Sequence, residues 1–286
     1  MVALASFTLL PRPHLSCDHI PNTYSKKTLI YRPINLKNLA SSSTTLPRMS
    51  VSSNLQQVDG KYSLPSLKAI LFDIDGTLCD SDPIHYYAFR EMLQEVGFNG
   101  GITITEEFFV NNISGMHNEE LCRVLLPDWD LQRARKFMED KEDLFRRLAA
   151  EQLKPVQGLE NLCKWIEERG LKRAAVTNAP RPNAELIISI LDLTNFFEIL
   201  VIGNECDRAK PFPDPYLKAL QALEVSQEHV FVLEDSVSGV KAGVAAGMPV
   251  VGLGTRNPEN LLLDAGASFV IKDFDDPKLW TALDNI

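Results

Sequence analysis

Residues 69–78 read Ala-Ile-Leu-Phe-Asp-Ile-Asp-Gly-Thr-Leu, four apolar residues running straight into two aspartates, a glycine and a threonine. A short aliphatic run bounded by turn residues predicts a strand buried on both faces. Working outward, the pattern recurs at 172–176, 199–202, 230–233, 249–253 and 269–271. Amphipathic helical patterns separate most of these runs, at 159–169, 183–191, 215–223 and 237–246. Alternation of this kind predicts an α/β fold, a doubly wound (Rossmann-like) parallel sheet with helices on both faces.

One interval breaks the alternation. About a hundred residues separate the first strand from Lys172, and they hold helical patterns at 84–96, 119–125 and 131–152 but no convincing strand. A connection that long must carry its own structure. It predicts a small α-helical domain over 83–154, inserted into a core formed by 66–82 plus 155–286. Asp82-Pro83 and Pro155-Val156-Gln157-Gly158 mark its entry and exit with hinge chemistry.

Residues 1–54 differ from the rest. They carry six basic residues and one acid, with a dense run at Ser41-Ser42-Ser43-Thr44-Thr45. That composition predicts a transit peptide, and its Ser/Thr richness points to a plastid, although an ordinary disordered tail has the same look. Use of Met49 as an internal start would give a cytoplasmic form. The remaining chain keeps 23 basic and 37 acidic residues, which disfavours nucleic-acid and anionic-membrane surfaces as partners. No apolar stretch approaches the roughly 18 residues of a membrane span. Cys17, Cys79, Cys122, Cys163 and Cys206 show neither disulfide nor zinc spacing, and read as free thiols in a reducing compartment.

In an open parallel sheet the reactive groups gather beyond the carboxyl ends of the strands. Here those ends are polar. Asp73 and Asp75 follow the first strand, two positions apart and close enough to share a cation, with Gly76 permitting a tight turn. Thr177-Asn178 ends the second strand, Lys210-Pro211 lies in a later turn, and Glu234-Asp235-Ser236 ends the strand at 230–233. Taken singly, each has a plain explanation. Lys210 can be a surface lysine, Thr177 a helix cap, and Glu234, Asp235 or Ser236 a cap of the next helix. Four such features in order, each at or just beyond a strand end, point instead to one site.

This set resembles the four motifs of the haloacid dehalogenase-like hydrolase superfamily, over roughly residues 66–286. The helical insertion matches the subgroup with a small helical cap. Asp80-Ser81-Asp82-Pro83-Ile84-His85, Lys210-Pro211-Phe212-Pro213-Asp214-Pro215 and Glu234-Asp235-Ser236-Val237-Ser238-Gly239 look most like sugar-phosphate phosphatases and β-phosphoglucomutase-like members. The resemblance implies an Mg²⁺-dependent phosphatase acting on small phosphorylated metabolites, sugar or polyol phosphates, through an aspartyl-phosphate. Asp73 is the expected nucleophile and Asp75 the expected acid/base. Mg²⁺ is expected on the Asp73 carboxylate, the Asp75 carbonyl and Asp235, with Glu234 nearby or in the shell. Thr177, Asn178 and Lys210 are expected on the phosphoryl oxygens.

The insertion adds His85, which the resemblance places against substrate, and a loop at Gly115 with Asn118 or Glu119 reaching sugar hydroxyls. Arg181 and Asn183 are expected at the phosphate or sugar. A structural histidine and two helix starts remain open for these positions. Among alternatives, a phosphosugar mutase would keep every core residue, whereas a dehalogenase or a phosphonate-cleaving relative has no use for Asp75. A non-catalytic binding module would bury carboxylates without purpose. The chain is expected as a monomer or small homo-oligomer.

Overall fold

The computed structural model describes residues 56–58, 61–63 and 66–284. The segment read as a transit peptide lies outside them. Strands β1 (Gln56–Val58) and β2 (Lys61–Ser63) form an antiparallel pair. The main sheet contains β3 (Ala69–Phe72), β4 (Lys172–Thr177), β5 (Ile199–Ile202), β6 (Val230–Glu234), β7 (Val250–Leu253) and β8 (Phe269–Ile271). All neighbours are parallel, in the order β5-β4-β3-β6-β7-β8. The fold is the parallel, doubly wound α/β sheet that the alternation predicts.

The helices are α1 (Asp82–Glu95), α2 (Glu106–Asn112), α3 (Asn118–Leu125), α4 (Leu131–Gln152), α5 (Leu159–Glu168), α6 (Arg181–Ile190), α7 (Asp214–Leu223), α8 (Val237–Ala245), α9 (Glu259–Ala265) and α10 (Pro277–Leu283). Alternate residues of β3 serve opposite layers, as the two-residue period of a strand requires. Ile70 and Phe72 pack with Phe231, Leu162, Ile166, Ile187 and Leu279. Leu71 packs on the other side with Val176, Val232, Tyr216, Val240 and Leu262. Burial of both faces explains why these strands read as unbroken apolar runs. Helices α1 to α4 contribute a third cluster that includes Phe89, Leu93, Phe109, Phe137 and Met138.

Strand register sets the site. Phe72 lies opposite Ala175 of β4 and Leu233 of β6. The next residue on β3's side is therefore Asp73, and on β6's side Glu234. Thr177 closes β4 on the other flank. The expected strands and helices recur within a residue or two. The short helices α2, α9 and α10, and the β1–β2 pair, were not anticipated. Each is seven residues or fewer, too brief for periodicity to declare itself. Cys79, Cys122 and Cys163 are buried free thiols, and Cys206 is half-buried and free. No described helix is long and apolar enough to cross a membrane.

Candidate active site

The turn after β3 is built around Gly76, whose φ is +78°. Its amide donates to the Cys79 carbonyl at 2.9 Å, and its carbonyl accepts Thr255 Oγ1 at 2.9 Å. A Cβ at Gly76 would stand 2.2 Å from Asp235 Oδ2, so glycine is required both by conformation and by the close approach of that carboxylate. Asp235 is steadied from its main chain, where Asn257 Nδ2 donates to its carbonyl at 3.0 Å.

Lys210 reaches into the sheet end with its side chain only 3% exposed. Its ammonium donates to Asp73 Oδ1 (2.7 Å), Glu234 Oε1 (2.6 Å) and the Val176 carbonyl (2.6 Å), which uses all three of its donors. Its backbone is held by Asn178. The Lys210 amide donates to Asn178 Oδ1 at 3.1 Å, and Asn178 Nδ2 donates to the Lys210 carbonyl at 3.0 Å. Asn178, which lines the pocket, thus anchors the lysine loop through its side-chain amide.

Glu234 is fully buried and well supplied with donors. Tyr216 Oη donates to Oε1 at 2.9 Å, while the Ser236 amide and Oγ donate to Oε2 at 3.2 and 3.0 Å. Ser236 also caps α8, accepting the Gly239 amide at 3.0 Å, so neither acid is spent on capping. Thr177 likewise does not cap α6, whose N-cap is Pro180. Thr177 Oγ1 accepts the Ala179 amide at 2.9 Å, a bond that leaves its hydroxyl hydrogen for the pocket.

Three acids, Asp73, Glu234 and Asp235, bring one oxygen each within 4.8 Å of one another. Among the described residues, Lys210 is the cation bonded to two of them, Asp73 and Glu234. Burial and the neighbouring Glu234 push the Asp73 carboxyl up to about 8, against the pull of Lys210. Burial, then Asp73 and Glu234, hold Asp235 well above the usual carboxylate range. At Lys210 burial works toward discharge, but Asp73 and Glu234 outweigh it and raise the ammonium above its ordinary value. Excess negative charge on hard oxygen donors is the environment that suits a divalent ion such as Mg²⁺.

Opposite this cluster, His85 on α1 places Nε2 3.3 Å from Asp75 Oδ1. Its ring lies flat on Phe145 of α4, centroids 3.8 Å apart and 3° from parallel. Gly115, at φ +74°, sits near Ser236, with a Cβ there coming within 3.9 Å of the serine Cβ. Asn118 and Asn183 both face the same pocket, but each donates to Glu142, at 2.8 and 2.6 Å.

Glu119 and Arg181 do not join them. Glu119 is one position past Asn118 on α3 and points outward into a two-pronged pair with Arg135 at 2.6 and 3.0 Å. Arg181 is tied to Glu205 at 2.7 Å and to Glu185 at 3.2 Å, about two-fifths exposed. Conversely, Lys141 and Glu142 line the pocket and had not been singled out. Two adjacent charges in a polar helix read as solvated. The available signal was spacing, because Lys141 lies four residues from both Phe137 and Phe145 and so continues the buried stripe of α4.

A family model described as haloacid dehalogenase-like hydrolase matches residues 70–253. A phosphorylated carbohydrates phosphatase of Thermotoga maritima is 30% identical over 209 residues, 72% of this chain and 94% of that protein. The Arabidopsis thaliana protein SUPPRESSOR OF QUENCHING 1, chloroplastic, is 30% identical over 216 residues, 72% of this chain but 20% of that protein. Among solved structures, CbbY from Rhodobacter sphaeroides in complex with phosphate aligns with a TM-score of 0.62 at 26% identity, covering 73% of this chain and 95% of that one.

Proposed function

The chain belongs to the haloacid dehalogenase-like hydrolase family, and from that premise we propose that it is a phosphatase of small phosphate monoesters that works through an aspartyl-phosphate on Asp73. The observation that carries this reading is the convergence of Asp73, Lys210, Glu234 and Asp235 at the strand ends with Asp75 beside them. The phosphatase named among the relatives and the phosphate-bound CbbY structure support it.

The division of labour follows from the chemistry. A carboxylate oxygen of Asp73 attacks phosphorus and the ester P–O bond breaks, leaving an acyl-phosphate and an alcohol. Asp75 gives its proton to the departing oxygen. It then takes a proton from the water that attacks phosphorus, which releases inorganic phosphate and restores Asp73. Lys210 sets the orientation of Asp73 and faces the phosphoryl oxygens with positive charge. Thr177 donates its hydroxyl to the same group. Mg²⁺ would be held by the Asp73 carboxylate, the Asp75 carbonyl and Asp235. It would neutralise charge on the transferred group. Glu234, occupied by Lys210, Tyr216 and Ser236, acts as the counter-ion that fixes the lysine.

Residues 83–154 form the cap over a core of 66–82 plus 155–286, and that cap excludes bulk water from the acyl-phosphate. The basic segment 1–54 directs the protein to a plastid, a reading supported by the chloroplastic relative. The test is phosphate release from a panel of sugar and polyol phosphates, with Mg²⁺ and with excess chelator, scored also for isomerisation to separate a mutase. Trapping of Asp73 by beryllium fluoride is expected. Equal activity in chelator and no trapping would overturn the proposal.

A further inference from the structure

The helical side of the pocket is organised around Glu142. Its carboxylate receives Lys141 Nζ at 2.5 Å and Asn118 Nδ2 at 2.8 Å on Oε1, and Asn183 Nδ2 at 2.6 Å on Oε2. Asn183 Oδ1 is in turn filled by Arg146 Nη1 at 2.7 Å. Burial alone would favour the protonated acid, but Lys141, His85 and the hydrogen bonds from Lys141 and Asn118 outweigh it and hold Glu142 down at about 2. Three side-chain donors thus seat it as a carboxylate.

Charge around the pocket is lopsided. The ammonium groups among its described lining residues are those of Lys141 and Lys210, and each is already bonded to acid. Against them stand the carboxyl groups of Asp73, Asp75, Asp82, Glu142 and Asp235. A phosphoryl group would have Lys210 to meet it, together with the ion that Asp73 and Asp235 would hold. A second anion on the same substrate would meet Lys141, whose charge Glu142 has cancelled, and His85, whose ring nitrogen already faces Asp75. A hydroxyl group fares differently, because a carboxylate offers about four lone-pair positions and three are taken here. The fourth can accept from an alcohol. Phe89, 4.5 Å beneath the Lys141 ammonium, adds an apolar surface for C–H groups.

We infer that Glu142 makes this side of the pocket a receptor for an uncharged, hydroxyl-bearing leaving group and turns away substrates with a second anionic group, whether carboxylate or phosphate. The inference rests on the phosphatase reading above and specifies the part of the substrate that is not the transferred phosphate. Discrimination of this kind works by leaving the wrong group's charge unmatched.

The test uses the purified full chain with Mg²⁺ and four esters: glycerol 3-phosphate, phosphoglycolate, a ketose 1,5-bisphosphate and p-nitrophenyl phosphate. The expected kcat/KM for glycerol 3-phosphate exceeds that for phosphoglycolate and the bisphosphate by about 100-fold, the scale of like-charge repulsion in a desolvated site. Glu142→Gln keeps the side-chain shape but frees Lys141, and should narrow that ratio about tenfold or more through faster turnover of the two anionic esters. Equal or faster wild-type turnover of phosphoglycolate or the bisphosphate would overturn the inference, and that comparison stands even if the variant fails to fold. A folded Glu142→Gln that slows all four esters alike, with the ratio unchanged, would reduce Glu142 to a structural part and overturn it as well. Hydrolysis of none of the esters, p-nitrophenyl phosphate included, would bring down the phosphatase reading and this one with it.

Discussion

The ammonium of Lys210 stands 2.7 Å from Oδ1 of Asp73, although the two are 137 positions apart in the chain. Parallel pairing of β3 with both β4 and β6 creates that meeting, since the lysine passes the Val176 carbonyl at the end of β4 and touches Glu234 at the end of β6. The lysine is consequently structural and electrostatic at once. Its substitution tests both roles.

Lys210→Met removes the cation to which buried Glu234 is bonded. Stripping one member from a buried ion pair typically costs about 3–5 kcal/mol. We expect a loss of that order in urea unfolding of the metal-free protein, together with loss of phosphate release. A variant as stable as wild type would show that the lysine does not offset the charge of these buried acids.

Gly239 offers a sharper test of how Glu234 is seated. Replacing a helical glycine by alanine ordinarily stabilises by about 1 kcal/mol. At Gly239 the new Cβ would fall 1.6 Å from Glu234 Oε1 and 1.9 Å from its Cδ. Glu234 cannot withdraw without releasing Lys210, Tyr216 and Ser236. Gly239→Ala is therefore expected to destabilise, by about 1–3 kcal/mol as overpacked cores do. A gain in melting temperature would contradict the close packing of α8 on this carboxylate.

The acid cluster also predicts how the metal-free protein responds to pH. Asp73 is raised from an ordinary 3.8 to about 8 in the fold, by burial first and Glu234 second. Asp235 moves in the same direction. An acid whose folded value exceeds its unfolded one binds protons more tightly when folded, so its contribution to stability is whole below the unfolded value and fades as pH climbs through the folded one. With chelator present, the melting temperature should decline between about pH 4 and pH 8. Mg²⁺ should recover most of that loss near pH 8 and little near pH 4, because it replaces the missing positive charge only when the carboxylates are ionised. Equal metal-induced shifts at both ends of the range would count against a metal site on these residues.

The core of this site was legible in the sequence because strand ends expose their chemistry in order. Asp73, Asp75, Thr177, Glu234 and Asp235 each follow or close an aliphatic run, Lys210 lies in the turn region beyond β5, and a parallel sheet brings such ends to one edge. The helical side was less legible. Glu119 and Asn118 are neighbours in sequence, yet a helix turns successive residues by about 100°. One faces Glu142 and the other faces Arg135 outside. Arg181 begins α6 and has Glu185 one turn on, a local pairing that competes for its charge. Asn178 looked like a phosphate donor because it follows Thr177, and only tertiary structure shows its amide matched to the Lys210 backbone.

Asp75 provides the last test, since its side chain is set apart from the buried acids and given to His85. The histidine is fixed by stacking on Phe145 and presents Nε2 to Asp75 Oδ1 at 3.3 Å. In the proposed mechanism that contact is what keeps the carboxyl group turned toward the leaving oxygen. Loss of a positioned acid/base costs about 10²–10⁴-fold in rate. The loss should depend on the leaving group. An alcohol needs the proton from Asp75, whereas nitrophenolate departs without one. With Asp75→Asn, p-nitrophenyl phosphate should therefore yield a rapid burst of nitrophenol close to one equivalent of enzyme. Turnover should then stall, because no base remains to activate water against the acyl-phosphate. Glycerol 3-phosphate should give neither burst nor turnover. His85→Ala should lower kcat for the alcohol ester more than for the nitrophenyl ester, by about 10–100-fold if the lost contact contributes the 1.5–3 kcal/mol of a charged hydrogen bond. Steady turnover of both esters by Asp75→Asn at the wild-type rate would assign proton transfer to another group.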